Sequence, residues 1–107
     1  MNANAEDGLE VDGNFNSISA SNSVFINNVG DGFDVNGNSN IVGLLAMSSI
    51  NNGEDGLEIN GNDNFLTVIG STFSNNAGEP IADRGIGNTL NLSGNTISGL
   101  ENQPIVI

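Results

Sequence analysis

The chain repeats itself every 24 residues without a gap. Glu6–Val29 reads EDGLEVDGNFNSISASNSVFINNV, and Gly30–Gly53 reads GDGFDVNGNSNIVGLLAMSSINNG. Glu54–Ala77 reads EDGLEINGNDNFLTVIGSTFSNNA, and Gly78–Glu101 follows as a degenerate fourth copy, GEPIADRGIGNTLNLSGNTISGLE. The first and third copies are identical at 12 of 24 positions. A fixed period of this length is the signature of a solenoid, in which each repeat buries its apolar face only by stacking on its neighbours. Residues Met1–Ala5 fit the tail of a preceding repeat, and Asn102–Ile107 reads as the start of a fifth turn with Ile105 and Ile107 facing inward. The expected organisation is one domain over 1–107, with rungs 6–29, 30–53, 54–77 and 78–101 and a partial rung 102–107.

Within each copy three short segments alternate apolar and polar residues, as half-buried strands do. The first carries Leu9 and Val11, Phe33 and Val35, Leu57 and Ile59. The second carries Ile18 and Ala20, Val42 and Leu44, Leu66 and Val68, Leu90 and Leu92. The third carries Phe25, Ser49, Phe73 and Ile97, and Ser49 leaves a gap that Met47 on the same face is expected to fill. Asp12-Gly13, Asn36-Gly37 and Asn60-Gly61 are expected to supply the positive φ of a tight corner. Asn16, Asn40, Asn64 and Asn88 form a column occupied by Asn in all four copies.

Three strands and 24 residues per turn, with that asparagine column, resemble the right-handed parallel β-helix family, the pectate-lyase-like solenoids. In that family stacked corner asparagines form a hydrogen-bonded ladder. Asn suits the place because it tolerates left-handed backbone and its amide both donates and accepts at the roughly 4.8 Å strand spacing. The resemblance covers nearly the whole chain and implies an all-β, right-handed parallel β-helix solenoid of about four rungs. Left-handed β-helices, built on hexapeptide repeats, resemble it less.

Charge narrows the partners. The net charge is −12, with Arg84 the single basic residue and no His. Such a surface repels phosphate backbones and anionic membranes, so neither nucleic acid nor a membrane is an expected partner. Cations and neutral saccharides fit it better. The absence of Cys removes disulfide and thiolate chemistry and is compatible with bacterial secretion. An extracellular or cell-surface bacterial location is expected.

Asp7, Asp31, Asp55 and Glu79 share one position in successive copies, and Glu10, Asp34 and Glu58 share another, read as outward on the first strand. Carboxylates stacked at strand spacing repel by about 0.9 kcal/mol per pair even in water. No basic residue is expected in register with them. A solvated acidic face with diffuse counterions is the first expectation. Calcium held by Asp7, Glu10, Asp31, Asp34, Asp55 and Glu58 is the competing one.

The fourth copy departs from the pattern at Pro80, Asp83 and Arg84, where Asp83 and Arg84 are expected to pair locally at a distorted corner.

The lyases of the resembling family rely on Arg or Lys with calcium-binding acids, and its alginate epimerases on a Tyr/His/Asp-type site. This chain has no His, Tyr or Lys, so none of those residues carries over. No catalytic residue is expected. Saccharide modules stack sugar rings on exposed Trp or Tyr, both absent here, and of the five Phe residues only Phe15 stands apart from the inward columns. Ice binding would want a regular Thr array, and the column Val24, Ser48, Thr72 and Thr96 is only half Thr. The leading expectation is a noncatalytic structural module, a rigid spacer or an element that self-associates end to end through open β-helix ends. A fragment of a polysaccharide-active enzyme is the alternative, and a calcium-stabilised module is compatible with either.

Overall fold

A computed structural model describes residues 2–98, and within them the chain forms twelve short strands and no helix. The first rung contributes β1 (Leu9–Asp12), β2 (Ser17–Ser21) and β3 (Val24–Ile26), and the second β4 (Phe33–Asn36), β5 (Ile41–Leu45) and β6 (Ser48–Ile50). The third contributes β7 (Leu57–Asn60), β8 (Phe65–Ile69) and β9 (Thr72–Ser74), and the fourth β10 (Ile81–Asp83), β11 (Thr89–Ser93) and β12 (Thr96–Ser98). Three parallel sheets result, ordered β1-β4-β7-β10, β2-β5-β8-β11 and β3-β6-β9-β12. The register is the sequence period itself: Leu9 opposes Phe33, Phe33 opposes Leu57, and Leu57 opposes Ile81. The chain is therefore a parallel β-solenoid of about four turns. The expected fifth turn, 102–107, lies outside the described residues.

Alternation turns every second side chain into the column. Phe33, Val35, Leu57, Ile59, Leu66 and Val68 are fully buried there, and the Phe25 and Phe33 rings meet edge to face at 5.9 Å and 81°. Burial fades away from the middle rungs, since Leu9, Ile18, Ala20, Leu90 and Leu92 are only partly covered. That is what nearest-neighbour stacking predicts.

The corners differ from expectation. Left-handed backbone falls in three columns, at Ala3, Asn27, Asn51 and Asn75, at Phe15, Ser39, Asp63 and Gly87, and at Asn22, Ala46, Gly70 and Gly94. One such residue follows or precedes each strand and redirects the chain into the next sheet. Among the expected corner glycines, Gly13 and Gly37 have φ of 119° and 143°, but Gly61 does not belong to this set. Its requirement is space: a Cβ at Gly61 would lie 1.8 Å from the Gly37 carbonyl oxygen. Close stacking, rather than the sign of φ, accounts for glycine there.

Ser49 is tied into the core by hydrogen bonds. It is fully buried, donates from its hydroxyl to the Gly56 carbonyl at 2.8 Å and accepts from Asn52 Nδ2 at 3.0 Å. Met47 is buried in the same apolar core as Phe25 and Phe73, and its N–H donates to Ser71 Oγ. Pro80 has its own consequence. Gly8, Gly32 and Gly56, at the same position, each donate an N–H to the next rung, to the carbonyls of Asp31, Asp55 and Glu79. Proline lacks that N–H, so this thread of the ladder stops at Pro80.

Candidate functional site

Polar side chains stack in columns of two kinds. The expected asparagine column forms a ladder: Asn16, Asn40 and Asn64 each donate a backbone N–H at 2.8 Å to the Oδ1 of the Asn one rung on. The amides of Asn40, Asn64 and Asn88 donate at 2.9 Å to the carbonyls of Gly13, Gly37 and Gly61. A second ladder, not foreseen, runs through Asn4, Asn28, Asn52 and Asn76, where the backbone N–H and the amide of each of the first three both reach the next Oδ1. Its sequence signal was the Asn-Asn pair that closes Asn27-Asn28, Asn51-Asn52 and Asn75-Asn76. The first Asn of each pair turns the corner with positive φ and the second points inward, buried.

The acidic columns lie at the entrance to the first sheet and along its outer face. Asp7, Asp31 and Asp55 also form a ladder: each Oδ1 accepts the N–H of the acidic residue one rung on, Asp31, Asp55 and Glu79, at 2.7, 2.6 and 2.7 Å. Carboxylates can replace Asn here because only an acceptor is needed. Charge then accumulates along the column. Glu10, Asp34 and Glu58 stack beside it in strand register.

Two corrections follow. Asp83 and Arg84 do not pair with each other; Asp83 accepts from Gly85 N–H and from Asn88 Nδ2 at 2.7 Å. Arg84 instead reaches back one rung, its Nε to Glu58 Oε1 at 2.5 Å and its Nη2 to Asp55 Oδ2 at 2.8 Å, with Glu79 Oε2 at 3.0 Å. A basic residue is thus in reach of the acidic columns, contrary to expectation. It serves only their upper half. The hydrogen bonds it donates to Glu58 and Asp55 push the guanidinium pKa up.

The lower half has no such partner among the described residues. Asp34, read as an outward residue, is 5 % exposed. Its Oδ2 accepts from Asn36 Nδ2 at 2.6 Å, the same amide that reaches Glu10 Oε1 at 3.0 Å, while its Oδ1 is buried without a hydrogen-bond partner. Burial, with Glu58, Asp7 and Glu10 nearby, pushes the Asp34 carboxyl up to about 7. Burial likewise pushes Asp31 up to about 8, reinforced by Glu58, Asp55 and Asp34 and opposed by its bond to the Asp55 N–H. Asp34 belongs to two groups of carboxylates, Asp7–Glu10–Asp34 and Asp31–Asp34–Glu58, whose oxygens lie within 4.8 Å of one another. Of the six acids expected to gather, five are brought together in these groups, and Asp55 is drawn off by Arg84.

The second sheet contrasts in having no charge on its outer face. Ile41 opposes Phe65 and Leu45 opposes Ile69, all four exposed, with Gly43 and Thr67 between them. Phe65 therefore faces outward, and it joins Phe15 as an exposed ring.

Comparison with known proteins adds no relative: no family model matches the chain, and neither a curated protein nor a solved structure matches it. The parallel β-solenoid class rests on the fold itself.

Proposed function

We propose that this chain is a noncatalytic structural module of a secreted or cell-surface bacterial protein, a rigid spacer or stacking element of the right-handed β-helix kind. The observation that supports this reading is the commitment of whole columns of polar side chains to rung-to-rung bonds, Asn16 to Asn88 and Asn4 to Asn76. Each interface between rungs repeats the same bonds, so a second copy set in register on β1, β2 and the 2–4 segment that already covers β3 would repeat them once more. Pro80 makes the opposite side of the first sheet one bond poorer, which gives such a stack a direction. Light scattering with negative-stain imaging of the same sample tests the stacking. Filaments or discrete stacked oligomers are expected, and a monomer at high concentration would overturn self-association.

The outward Phe65 on an uncharged sheet face favours a second reading, contact with a neutral saccharide. Affinity electrophoresis in gels cast with neutral glucans tests it. Retardation that Phe65→Ser removes is expected on this reading, and unretarded migration would end it.

A further inference from the structure

We propose that the lower acidic face is a binding site for one hard divalent cation of the calcium class, held by Asp34 together with Asp7 and Glu10. Asp34 is the central ligand. It is 5 % exposed, one of its oxygens is bonded to Asn36, and the other is buried with no partner. A buried carboxylate oxygen without a donor is costly, and the Asn36 amide nearby is already shared between the other Asp34 oxygen and Glu10. Asp7 and Glu10 each bring an oxygen within 4.8 Å of an Asp34 carboxylate oxygen and of each other. A cation that takes several oxygens at 2.3–2.6 Å meets all three demands at once, which no single hydrogen-bond donor can do.

The upper half supplies an internal precedent. There the same two columns, two rungs on, converge on the Arg84 guanidinium, which touches Asp55, Glu58 and Glu79. Position by position, Arg84 corresponds to Asn60, Asn36 and Asp12 in the earlier rungs. Asn36 offers one amide to Glu10 and Asp34, and no charge. The lower half thus gathers acids of the same two columns without a cationic side chain among them.

Two features select the ion and its route. Every candidate ligand is a carboxylate oxygen, with no His or Cys in the chain, which suits a hard cation. Calcium accepts irregular oxygen sets, whereas magnesium demands a near-ideal octahedron. Asp7 and Glu10 open onto a shallow cleft that Glu6 and Glu54 also line, so the ion has an acidic entrance from solvent. Glu58 is the poorer ligand because Arg84 and Asn60 already hold its two oxygens.

The test uses the full chain, first stripped with chelator and then titrated with calcium chloride at fixed ionic strength. Equilibrium dialysis is expected to find about one calcium per chain, and saturating calcium is expected to raise Tm by about 5 °C or more. Asp34→Asn, which preserves shape, is expected to abolish both effects, while Asp63→Asn at a remote corner keeps them. Should Asp34→Asn fail to fold, Glu10→Gln takes its place, with an expected loss of about tenfold or more in affinity. Equal Tm values in calcium and chelator would overturn the proposal. So would a calcium response that survives Asp34→Asn, or one that potassium chloride of matched ionic strength reproduces, since that would be screening of a diffuse charge.

Discussion

The asparagine corners and the acidic face are built on one device and differ in whether it closes on itself. In both, a side-chain oxygen accepts a backbone N–H from the adjacent rung, at 2.8 Å from Asn40 to Asn64 and at 2.6 Å from Asp55 to Asp31. The Asn amide then donates to Gly carbonyls or to the next Asn, so the column is neutral and bonds itself on both sides. An Asp in the same role accepts equally well but leaves a charge at each step. Stacking four neutral ladder rungs adds bonds; stacking four charged ones adds bonds and repulsion together. The acidic face is therefore the place where the solenoid depends on something beyond its own repeat. Arg84 meets that need in the upper half only.

The largest effect is expected from breaking the self-satisfied ladder. Asn52 is 2 % exposed, and its side chain bonds the Asn28 backbone, Phe25 O, Ser49 Oγ and Asn76 Oδ1. Asn52→Ala leaves several of those groups buried and unpaired, and should lower stability by about 3 kcal/mol in urea unfolding. Next comes Arg84→Met, which makes the upper acidic face resemble the lower. Asp55 is buried, but the Arg84 side chain is 44 % exposed, so the loss is expected at about 2 kcal/mol, below that of a fully buried pair. A loss under about 0.5 kcal/mol in the same assay would mean that the acids tolerate one another and the contrast between the halves is empty.

A smaller change of opposite sign is expected where an acid is turned into the residue of the neutral ladders. Asp31→Asn keeps an oxygen for the Asp55 N–H and removes a charge that Glu58, Asp55 and Asp34 oppose. In chelator at pH 8 it should stabilise the fold by about 1 kcal/mol. Destabilisation would show that the ladder needs a charged acceptor. The pH dependence is the gentlest test. Asp31 and Asp34 have folded-state values near 8 and 7, above the ordinary 3.8. Between those limits the folded chain binds more protons than the unfolded one, so their contribution is complete below about pH 4 and is lost as pH rises through 7 to 8. The urea midpoint in chelator should fall across pH 6 to 8 for the native sequence and fall less for Asp31→Asn.

Much of the architecture was legible because it is one-dimensional. Once the copies align without a gap, the register of every strand follows, and so do the inward columns of Phe33, Leu57 and Leu66 and the ladder from Asn16 to Asn88. The second ladder was half visible. The Asn-Asn pairs stood in the sequence, but which member turns the corner and which points inward depends on the backbone at Asn27, Asn51 and Asn75. The corner glycines were assigned to the right places for an incomplete reason, since Gly61 answers to the carbonyl stacked against it.

By itself, then, the sequence determined the period, the three strands per turn, the alternation that builds the core, and the crowding of acids in register. Periodicity carries these because each is a statement about one rung repeated. Only the tertiary structure decided that Ser49 is bonded within the core, that Asp34 is buried with an oxygen unpaired, and that Arg84 turns back to Asp55 and Glu58. Those are relations between side chains of different rungs. They depend on the curvature at the corners and on how far a long side chain reaches, and a one-dimensional repeat encodes neither.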